Sequence, residues 1–478
     1  MLLVLLAAGC SVGPDYHRPA PTSPAPAPTA WKAGSPWKTG EPRDAVIKPD
    51  FWLVFEDPIL DGLERQAATN SPDLQAAFER VDEARAAARI TRADLFPGLT
   101  LDPYGNLTRY SPGRPVQPGS IALAFAANDF AMPLDLSYEV DLWGRVRRSF
   151  RAAREQAQAS AAAYQTVLLE LHAQVAQTYF MIRYVDLERH LLEATVELRQ
   201  KNLDLVESLH HGGADSAVDV AQAETELASA QADLVGLRLQ RAQLENSLAV
   251  LCGRPSSSFA LPEESRTYEP PVIPIGLPAD LLERRPDVAQ AERNLAAASE
   301  GIGIAKAAFF PTIQLTGFAG TESASLKDIF SWENRIWGLG PNLTLPLFEG
   351  GRNRAGLERS QAAYEEAVAN YRSQVLVAFH EVEDGLVGLR LLQQQYDAQL
   401  RALDGAKQAA DLSRLRYKEG LASYFEVVIA DRTRLENELT VDQLSGQRLV
   451  TTVQLIKALG GGWQAANPMM TNGVAPLH

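Results

Sequence analysis

Few residues in this sequence have the types and spacing that enzymes use, and none of them form a complete catalytic or metal-binding set. His210 and His211 are adjacent, but further metal ligands at suitable spacing are absent, so a helix C-terminus, which favours histidine, is the better interpretation. The stretch "GIGIA" from Gly301 follows no predicted strand and is too short for a dinucleotide-binding loop. The seven histidines are scattered, and no Ser/His/Asp or Cys/His arrangement is visible. We therefore predict a protein that is not an enzyme and that binds no metal.

Cysteine modification is the one covalent chemistry that the sequence suggests. "MLLVLLAAGC" is a short apolar run that ends in small residues and a cysteine, and it resembles a lipoprotein signal. Removal of residues 1–9 would leave Cys10 for lipid attachment, and Ser11 after it favours sorting to an outer membrane. A plain secretory signal is the alternative. No cofactor other than this lipid is expected, and Cys252 is expected to be a buried, inert thiol.

Composition and charge exclude several classes of protein. The net charge of −14 argues against a nucleic-acid partner, because phosphate binding requires a basic surface. No apolar run approaches the roughly 20 residues of a transmembrane helix. A membrane contact would therefore need a lipid anchor or a β-barrel. Residues 10–42 are rich in proline and alanine and predict an extended, lipid-anchored tether.

Two parts of the sequence follow the same plan. "SPDLQAAFERVDEARAAARITRADLFPGL" starts at Ser71 and "RPDVAQAERNLAAASEGIGIAKAAFFPTI" starts at Arg285. Each has Pro–Asp near its start and a Phe–Pro stop 25 residues after the first proline. Proline suits the first turn of a helix and ends a helix when it comes later, so each segment predicts a helix of about 24 residues.

After each Phe–Pro stop, the apolar residues alternate with polar ones, which is typical of strands. In "LDLSYEVD" from Leu134 the polar positions include Asp135, Glu139 and Asp141, which suit the wall of a water-filled lumen better than an acid/base pair. "WGLGPNLTLPL" from Trp337 repeats the alternation. We predict four strands, at 99–110, 121–141, 312–320 and 336–347.

Long proline-free helical stretches follow the strands, at 145–211 and 352–418, offset by 207 residues. In the first, Leu171, Val175 and Ile182 belong to an apolar seam with coiled-coil spacing. Each stretch predicts ~100 Å of helix at 1.5 Å per residue. Shorter return helices are predicted at 217–251 and 424–459.

This pattern divides the mature chain into two repeats and three segments that we expect to collect as an equatorial belt. The repeats are 71–251 and 285–459, and the belt segments are 43–70, 252–284 and 460–478.

The four strands point to a barrel shared between copies of the chain. Helices ~100 Å long cannot fold back compactly over the apolar face of a small sheet, whereas lipid could cover that face. Open sheet edges are not tolerated in lipid, and known transmembrane barrels have at least eight strands. Two copies would give a barrel filled by side chains, while three copies give twelve strands and room for an aqueous pore. We therefore predict an α+β membrane protein that is a homotrimer.

The turns between the long and return helices share one motif of glycine, serine and an acid. Gly213, Ser216 and Asp219 are matched 207 residues later by Gly420, Ser423 and Glu426. The glycines suit helix C-termini that need a left-handed residue, and the serines suit N-caps whose capping-box partner is the acid. Helix capping therefore explains the shared motif, and function is expected in the residues that differ.

These pieces resemble the TolC-like outer-membrane efflux proteins, in particular their NodT-like lipoprotein branch. The resemblance covers nearly the whole mature chain and rests on five stretches of sequence. They are "CSVGPDYHRP" from Cys10, "FWLVFEDPILDGLERQAATNSPDLQAA" from Phe51, "RPDVAQAERNLAAA" from Arg285, "FFPTIQLTG" from Phe309 and "RYKEGLASYFEVVIADR" from Arg416.

The resemblance implies a trimeric 12-stranded β-barrel in the outer membrane of a Gram-negative bacterium, continuing into a periplasmic α-helical coiled-coil barrel. It also implies that the turns lie at the periplasmic tip, where the tunnel narrows. Some members carry an acid two residues after the second glycine, where this chain has Ala422. In the first turn Asp215 holds the corresponding place, and three copies could form an acidic ring or simply a solvated turn. We expect exposed side chains at Leu421, Ala422 and Tyr424.

The resemblance further implies docking to a periplasmic adaptor and an inner-membrane pump. Candidates for adaptor docking are Ala214, Leu421, Arg416 and Lys418, although the two cations could also tie helices together or be solvated. The function expected is a passive exit duct of a tripartite efflux system. A periplasmic coiled-coil adaptor or scaffold without a pore is the alternative. The exported substrate stays open among drugs, solvents, metal ions and aromatic acids.

Overall fold

The computed structural model describes residues 12–22, 50–113, 125–213, 216–273 and 284–461. Cys10, Ala214 and Asp215 lie outside these residues. The chain divides into two compact units, each assembled from three segments. Unit 1 comprises Met1–Pro19, Arg80–Ser160 and Ala291–Tyr371, and unit 2 comprises Ala20–Glu79, Ala161–Gln290 and Arg372–His478.

Helices make up most of the described residues. They are α1 (Pro58–Asn70), α2 (Pro72–Ala93), α3 (Arg145–His211), α4 (Ala217–Leu251), α5 (Pro286–Ala307), α6 (Arg352–Lys418) and α7 (Tyr424–Ala458). Helices α3 and α6 have 67 residues each, and their bounds coincide with those expected from the sequence. Helices α2 and α5 begin at prolines, whose missing N–H costs nothing in the first turn, and each has 22 residues. No helix in the described part of the chain has an apolar stretch long enough to cross a membrane.

One antiparallel sheet lies in unit 1. Its strands are β1 (Gly98–Leu101), β2 (Tyr104–Tyr110), β3 (Phe125–Glu139), β4 (Thr312–Ser323) and β5 (Arg335–Thr344). Strands β1 and β2 both pair with one side of β3, β4 pairs with its other side, and β5 pairs with β4. The sheet is therefore four strands wide.

The single strand expected at 99–110 is interrupted at Asp102 and Pro103, so that prediction is corrected to two strands in line. Leu101 faces Leu134 and Tyr104 faces Ala131, which keeps one register across the gap. The interruption has a simple cause: the Asp102 N–H donates to the Pro133 carbonyl at 3.1 Å, but Pro133 has no N–H to return the ladder hydrogen bond. The other strands also differ at their ends: β3 ends at Glu139, β4 extends to Ser323 and β5 ends at Thr344.

The register places the apolar residues of the sheet on one face. Leu136 faces Leu99 on one side and Gly317 on the other, and Gly317 faces Leu339. Residues directly opposite each other in an antiparallel sheet share a face. In the isolated chain this face is open: the exposed fractions are 79% for Trp337, 69% for Leu339 and 63% for Leu343.

The opposite face of the sheet is largely polar, although Phe318 and Ile336 also lie on it. Ser137 faces Thr316, which faces Gly340, and Glu139 faces Gln314, which faces Asn342. At the end of this face Glu139 pairs with Arg145, with Nε 2.8 Å from Oε1. Each face thus has its own chemistry, as the alternation in the sequence predicts.

Unit 2 is held together by buried apolar and polar contacts. Val175 and Ile182, from the predicted seam of α3, are fully buried. Asp57 caps α1 by accepting from the backbone N–H of Ile59 at 2.8 Å, and it also accepts from the Tyr268 hydroxyl at 2.6 Å and from the Tyr179 hydroxyl. Burial would raise the pKa of Asp57, but these hydrogen bonds outweigh it and lower that pKa.

The described parts of the predicted belt segments contact one another in unit 2. The Cys252 thiol lies 3.8 Å from the Leu63 carbonyl oxygen, and Gly253 approaches the backbone of Asn70 closely. Cys252 is fully buried, and burial raises the pKa of its thiol to about 11. A protonated, enclosed thiol is unreactive, as expected from the sequence.

Another buried pair joins α1 to α3. His172 Nδ1 lies 2.7 Å from Glu64 Oε2, and the Glu64 side chain is completely enclosed. Burial raises the pKa of Glu64 well above its usual value and lowers the pKa of His172 to about 4. Both shifts favour the neutral pair, in which the protonated Glu64 carboxyl donates a hydrogen bond to the ring nitrogen and keeps its proton.

Acidification should destabilise unit 2 through His172. The unfolded chain binds a proton to this ring near pH 6.5, while the folded chain resists protonation down to pH about 4. A lowered pKa of this kind contributes stability that is present above pH 6.5 and is lost as the pH falls toward 4. The raised pKa of Glu64 acts in the opposite sense, because the folded chain keeps this carboxyl protonated at a pH where the unfolded chain has lost the proton. We therefore expect the His172 contribution, up to about 3 kcal/mol over this window, to appear as a difference in the free energy of unfolding between the wild type and His172→Gln, from urea titrations followed by intrinsic fluorescence.

Relative to the wild type, His172→Gln should gain stability as the pH falls from 6.5 toward 4, because glutamine does not titrate. His190→Gln, at an exposed position of the same helix, is the matched control and should follow the wild-type pH dependence. The same pH dependence in both variants would contradict the assignment to His172.

Candidate functional site: the two helix turns

The first turn, between α3 and α4, forms the predicted caps. Gly213 has φ +77°, and its N–H donates to the His210 carbonyl at 2.9 Å. Ser216 is the N-cap of α4, and its hydroxyl accepts from the Asp219 N–H at 3.3 Å. In return the Asp219 carboxylate accepts from the Ser216 N–H at 3.2 Å, which completes a capping box.

The second turn, between α6 and α7, begins in the same way. Gly420 has φ +69°, and its N–H donates to the Tyr417 carbonyl at 2.9 Å. The Leu421 N–H donates to the Arg416 carbonyl at 2.8 Å. Together these bonds form a Schellman motif, which requires the left-handed conformation that glycine adopts at no steric cost.

The prediction of a capping box at the second turn is wrong. Ser423 occupies the N-cap position, but its side chain makes no capping hydrogen bond. Glu426 instead places a carboxylate oxygen 3.3 Å from Arg416 Nη1, and Arg416 Nη2 donates to the Leu421 carbonyl at 3.3 Å. Glutamate is one methylene longer than aspartate, and Arg416 lies within the last turn of α6. Glu426 therefore has a charged partner, whereas no ion pair of Asp219 is seen among the described residues. Arg416 therefore ties the end of α6 to the start of α7.

Tyr424, which the sequence analysis expected to be exposed, is buried with an exposed fraction of 6%. Its ring joins a core cluster with Val427 and with residues of α3 and α4, namely Leu203, Val206, Ala223 and Leu227. Burial and the nearby Asp431 carboxylate raise the pKa of Tyr424 to about 12. The tyrosine is thus a packing residue that joins the two turns through one core.

A half-buried ion pair reinforces the second turn. Arg414 Nη2 lies 2.6 Å from Asp431 Oδ1 and joins α6 to α7. Burial raises the pKa of Asp431 even though Arg414 lies beside it. Within the chain this arginine therefore ties the two helices together.

The residues that remain exposed at the second turn form an apolar stripe. Phe425 and Ile429 are four residues apart, which places them on one face of α7, and Leu421 lies in the turn just before this helix. The exposed fractions are 69% for Leu421, 53% for Phe425 and 49% for Ile429. Lys418 is also exposed, whereas Ala422 is half-buried. Leu421 is among the docking residues predicted from the sequence, whereas Phe425 and Ile429 are not. The i, i+4 spacing of Phe425 and Ile429 can nevertheless be read from the sequence.

Substitution of two adjacent aromatic residues should separate packing from surface chemistry. Tyr424→Ala removes a buried ring from the shared core and should lower the free energy of unfolding by about 3–5 kcal/mol. Phe425→Ala, next in sequence but exposed, should change it by less than about 0.5 kcal/mol. Urea unfolding of both variants measures the difference, and similar losses would show that Tyr424 is not a core residue.

Comparison with known proteins agrees with this architecture. The model of the outer membrane efflux protein family matches residues 63–254 and 277–461. The solvent efflux pump outer membrane protein SrpC of Pseudomonas putida is 35% identical over 472 residues, covering 98% of both chains. The outer membrane protein OprJ of Pseudomonas aeruginosa is 34% identical over 480 residues, covering 99% of this chain and 97% of its own.

A solved structure shows the same fold. The outer-membrane channel OprN superposes with a TM-score of 0.87 at 28% identity, covering 95% of this chain and all of its own. The family consists of efflux channels, which are not enzymes. Its members named above are outer-membrane proteins of Gram-negative bacteria, and the match extends over nearly the whole of this sequence. The chain therefore belongs to the outer membrane efflux protein family, the outer-membrane channels of tripartite efflux pumps.

Proposed function

We propose that three copies of this chain form the exit duct of an efflux system, with their sheets closed into a twelve-stranded transmembrane barrel. The exposed apolar face of the sheet is the observation that carries the proposal. A contiguous apolar face of this kind marks an interaction surface, and lipid is the partner whose chemistry matches it. The polar face, with Glu139, Gln314 and Asn342 in line, suits a water-filled lumen.

The sheet edges support closure by further copies. Among the described strands, β1 and β2 pair on one side only, and so does β5. An unpaired backbone group in lipid costs several kcal/mol, so the edges of one chain must pair with those of another. Three sheets, each four strands wide, give twelve strands. By the family resemblance, the barrel continues into a helical tunnel in the periplasm.

Two features of the turns support the proposed tip and its partners. Capping and the shared core make the turns rigid, and the apolar stripe of Leu421, Phe425 and Ile429 beside Arg416 and Lys418 leaves an exposed surface. We assign this surface to the periplasmic adaptor, which passes substrates from the inner-membrane pump. Lipid on Cys10 anchors the chain in the outer membrane. The name of the Pseudomonas putida relative SrpC records efflux of solvents, and selection among substrates is assigned to the pump.

A pair of substitutions on opposite faces of the sheet tests the proposed barrel. Leu339→Arg would place a charge in lipid, at a cost of about 2–4 kcal/mol near the bilayer midplane. It should reduce the amount of SDS-resistant, heat-modifiable oligomer in the outer-membrane fraction. Thr316→Arg, on the polar face, should leave that amount unchanged and alter only conductance. Equal recovery of both variants, or a wild type found as a soluble monomer, would support the adaptor or scaffold alternative.

The acidic ring at the first turn has its own test. Three copies of Asp215 would attract cations to the aperture, so Asp215→Ala should lower the cation selectivity measured in planar bilayers. Asp219→Ala serves as control, because its carboxylate is engaged in the capping box of α4. Unchanged conductance and selectivity in Asp215→Ala would show that the residue is an ordinary solvated turn residue.

A further inference from the structure

One aromatic side chain lies on the polar face of the sheet, the face that the proposed barrel turns toward water. Phe318 is near the middle of β4, where it faces Asp135 on one side and Gly338 on the other. Thr316, two residues before it, lies on the same face. The exposed fraction of Phe318 is 44% in the isolated chain. A large apolar side chain at such a position calls for a specific reason.

The Phe318 ring leans over a glycine of the neighbouring strand. A Cβ added at Gly338 would come within 2.6 Å of Phe318 Cε1 and within 2.9 Å of its Cζ. The ring therefore occupies the space above Gly338. Ile336 lies on the same face, diagonally across from Phe318, and is half-buried. Diagonal neighbours in an antiparallel pair are within reach of an aromatic side chain, so Phe318 and Ile336 form an apolar patch on this face.

The apolar face of the sheet contains the same arrangement of a ring over a glycine. Phe130 faces Gly105, and a Cβ added at Gly105 would come within 2.9 Å of Phe130 Cδ1. Aromatic rings that cover a glycine of a neighbouring strand help to fix the register of a sheet. This role explains Phe130 completely, because its face is apolar in any case. It explains where the Phe318 ring lies, but not why a ring is exposed on the polar face.

The charged side chains that the described strands place on the polar face are all acidic. They are Asp129, Asp135, Glu139 and Glu322, and no lysine or arginine of these strands shares their face. Asp135 lies directly opposite Phe318, and residues paired in this way have Cβ atoms about 5 Å apart. An aromatic ring beside a carboxylate suits a solute that carries both a ring and a positive charge.

We propose that Phe318, Ile336 and Asp135 form a binding site inside the barrel for organic cations that carry an aromatic ring. The inference rests on the proposed barrel, in which the polar face of the sheet lines the lumen. Three copies of the chain place three such sites at one height of the lumen. The carboxylates attract the cation and the Phe318 ring retains it, so that these solutes stay in the duct longer than neutral or anionic molecules of the same size.

The chemistry of the site sets the size of the expected effect. Contact of a solute ring or cation with the Phe318 ring should strengthen binding by roughly threefold to tenfold. The Asp135 carboxylate should add an attraction that weakens with salt, because exposed charges are screened over about 10 Å at 0.1 M ionic strength. An anion with the same ring should be repelled by the carboxylates of this face.

Fluorine NMR of a small probe with the purified oligomer in detergent tests the site. The probe is para-fluorobenzyltrimethylammonium, whose fluorine line broadens on binding, and detergent micelles alone give the background. Phe318→Leu removes the aromatic ring but keeps an apolar cover over Gly338, and Asp135→Asn removes the charge without changing the size of the side chain. Phe130→Leu is the matched control, because it removes a ring over a glycine on the opposite face.

The readout is the dissociation constant of the probe, obtained from the line width as the oligomer is titrated. Phe318→Leu should weaken binding by roughly threefold to tenfold, and Phe130→Leu should bind like the wild type. Asp135→Asn should also weaken binding and should reduce its dependence on salt. para-Fluorobenzoate, an anion with the same ring, should broaden no more with the oligomer than with micelles alone.

Three results would overturn the binding site while leaving the proposed barrel intact, because each is obtained with an assembled oligomer. They are wild-type affinity in Phe318→Leu or Asp135→Asn, equal losses in Phe318→Leu and Phe130→Leu, and equal binding of the cation and of para-fluorobenzoate. Equal losses would mean that both rings act only through the stability of the sheet. A wild type that forms no SDS-resistant oligomer would overturn the proposed barrel and the site together.

Discussion

The backbone groups at the two edges of the sheet constrain the whole molecule. Strands β1 and β2 on one side and β5 on the other have N–H and C=O groups for which the described strands of one chain provide no ladder partner. In water such edges would pair nonspecifically with strands of other chains. In lipid each unpaired backbone group would cost several kcal/mol. The apolar face from Leu99 to Leu343 favours lipid as the surrounding medium. Once the sheet is assigned to a membrane, pairing of its edges with those of other copies becomes obligatory.

The turns show how one sequence motif can satisfy the backbone in two ways. Asp219 is short enough to reach back to the N–H of its own N-cap, and a capping box results. Glu426 is longer and meets Arg416, so the same position binds a side chain of the preceding helix instead. The first turn is thereby stabilised by contacts at the start of α4 alone, and the second is stabilised by a contact between α6 and α7. Tyr424 then joins both turns through a common core.

Buried polar groups fix the contacts of unit 2 more specifically than apolar packing alone would. Asp57 uses its carboxylate for two backbone donors and two phenols at once, so α1 can lie in only one position against α3. Burial favours the neutral forms of Glu64 and His172, because a charged group at that depth would lose its hydration.

The sequence by itself determined what depends on local periodicity. The 207-residue offset, the prolines that start α2 and α5, and the alternating strands were enough to place the helices, four strand positions and both glycine caps. Local patterns could not determine which residues face a neighbour distant in sequence. Tyr424 is buried because α3 and α4 approach it, Glu426 leaves its cap because Arg416 is near, and β1 and β2 separate where Pro133 has no N–H to donate across the ladder. Residues 12–18 are the clearest case: proline and alanine predict a tether, but Gly13 and Arg18 contact the folded chain because Gly303, Glu292 and Tyr371 converge only there.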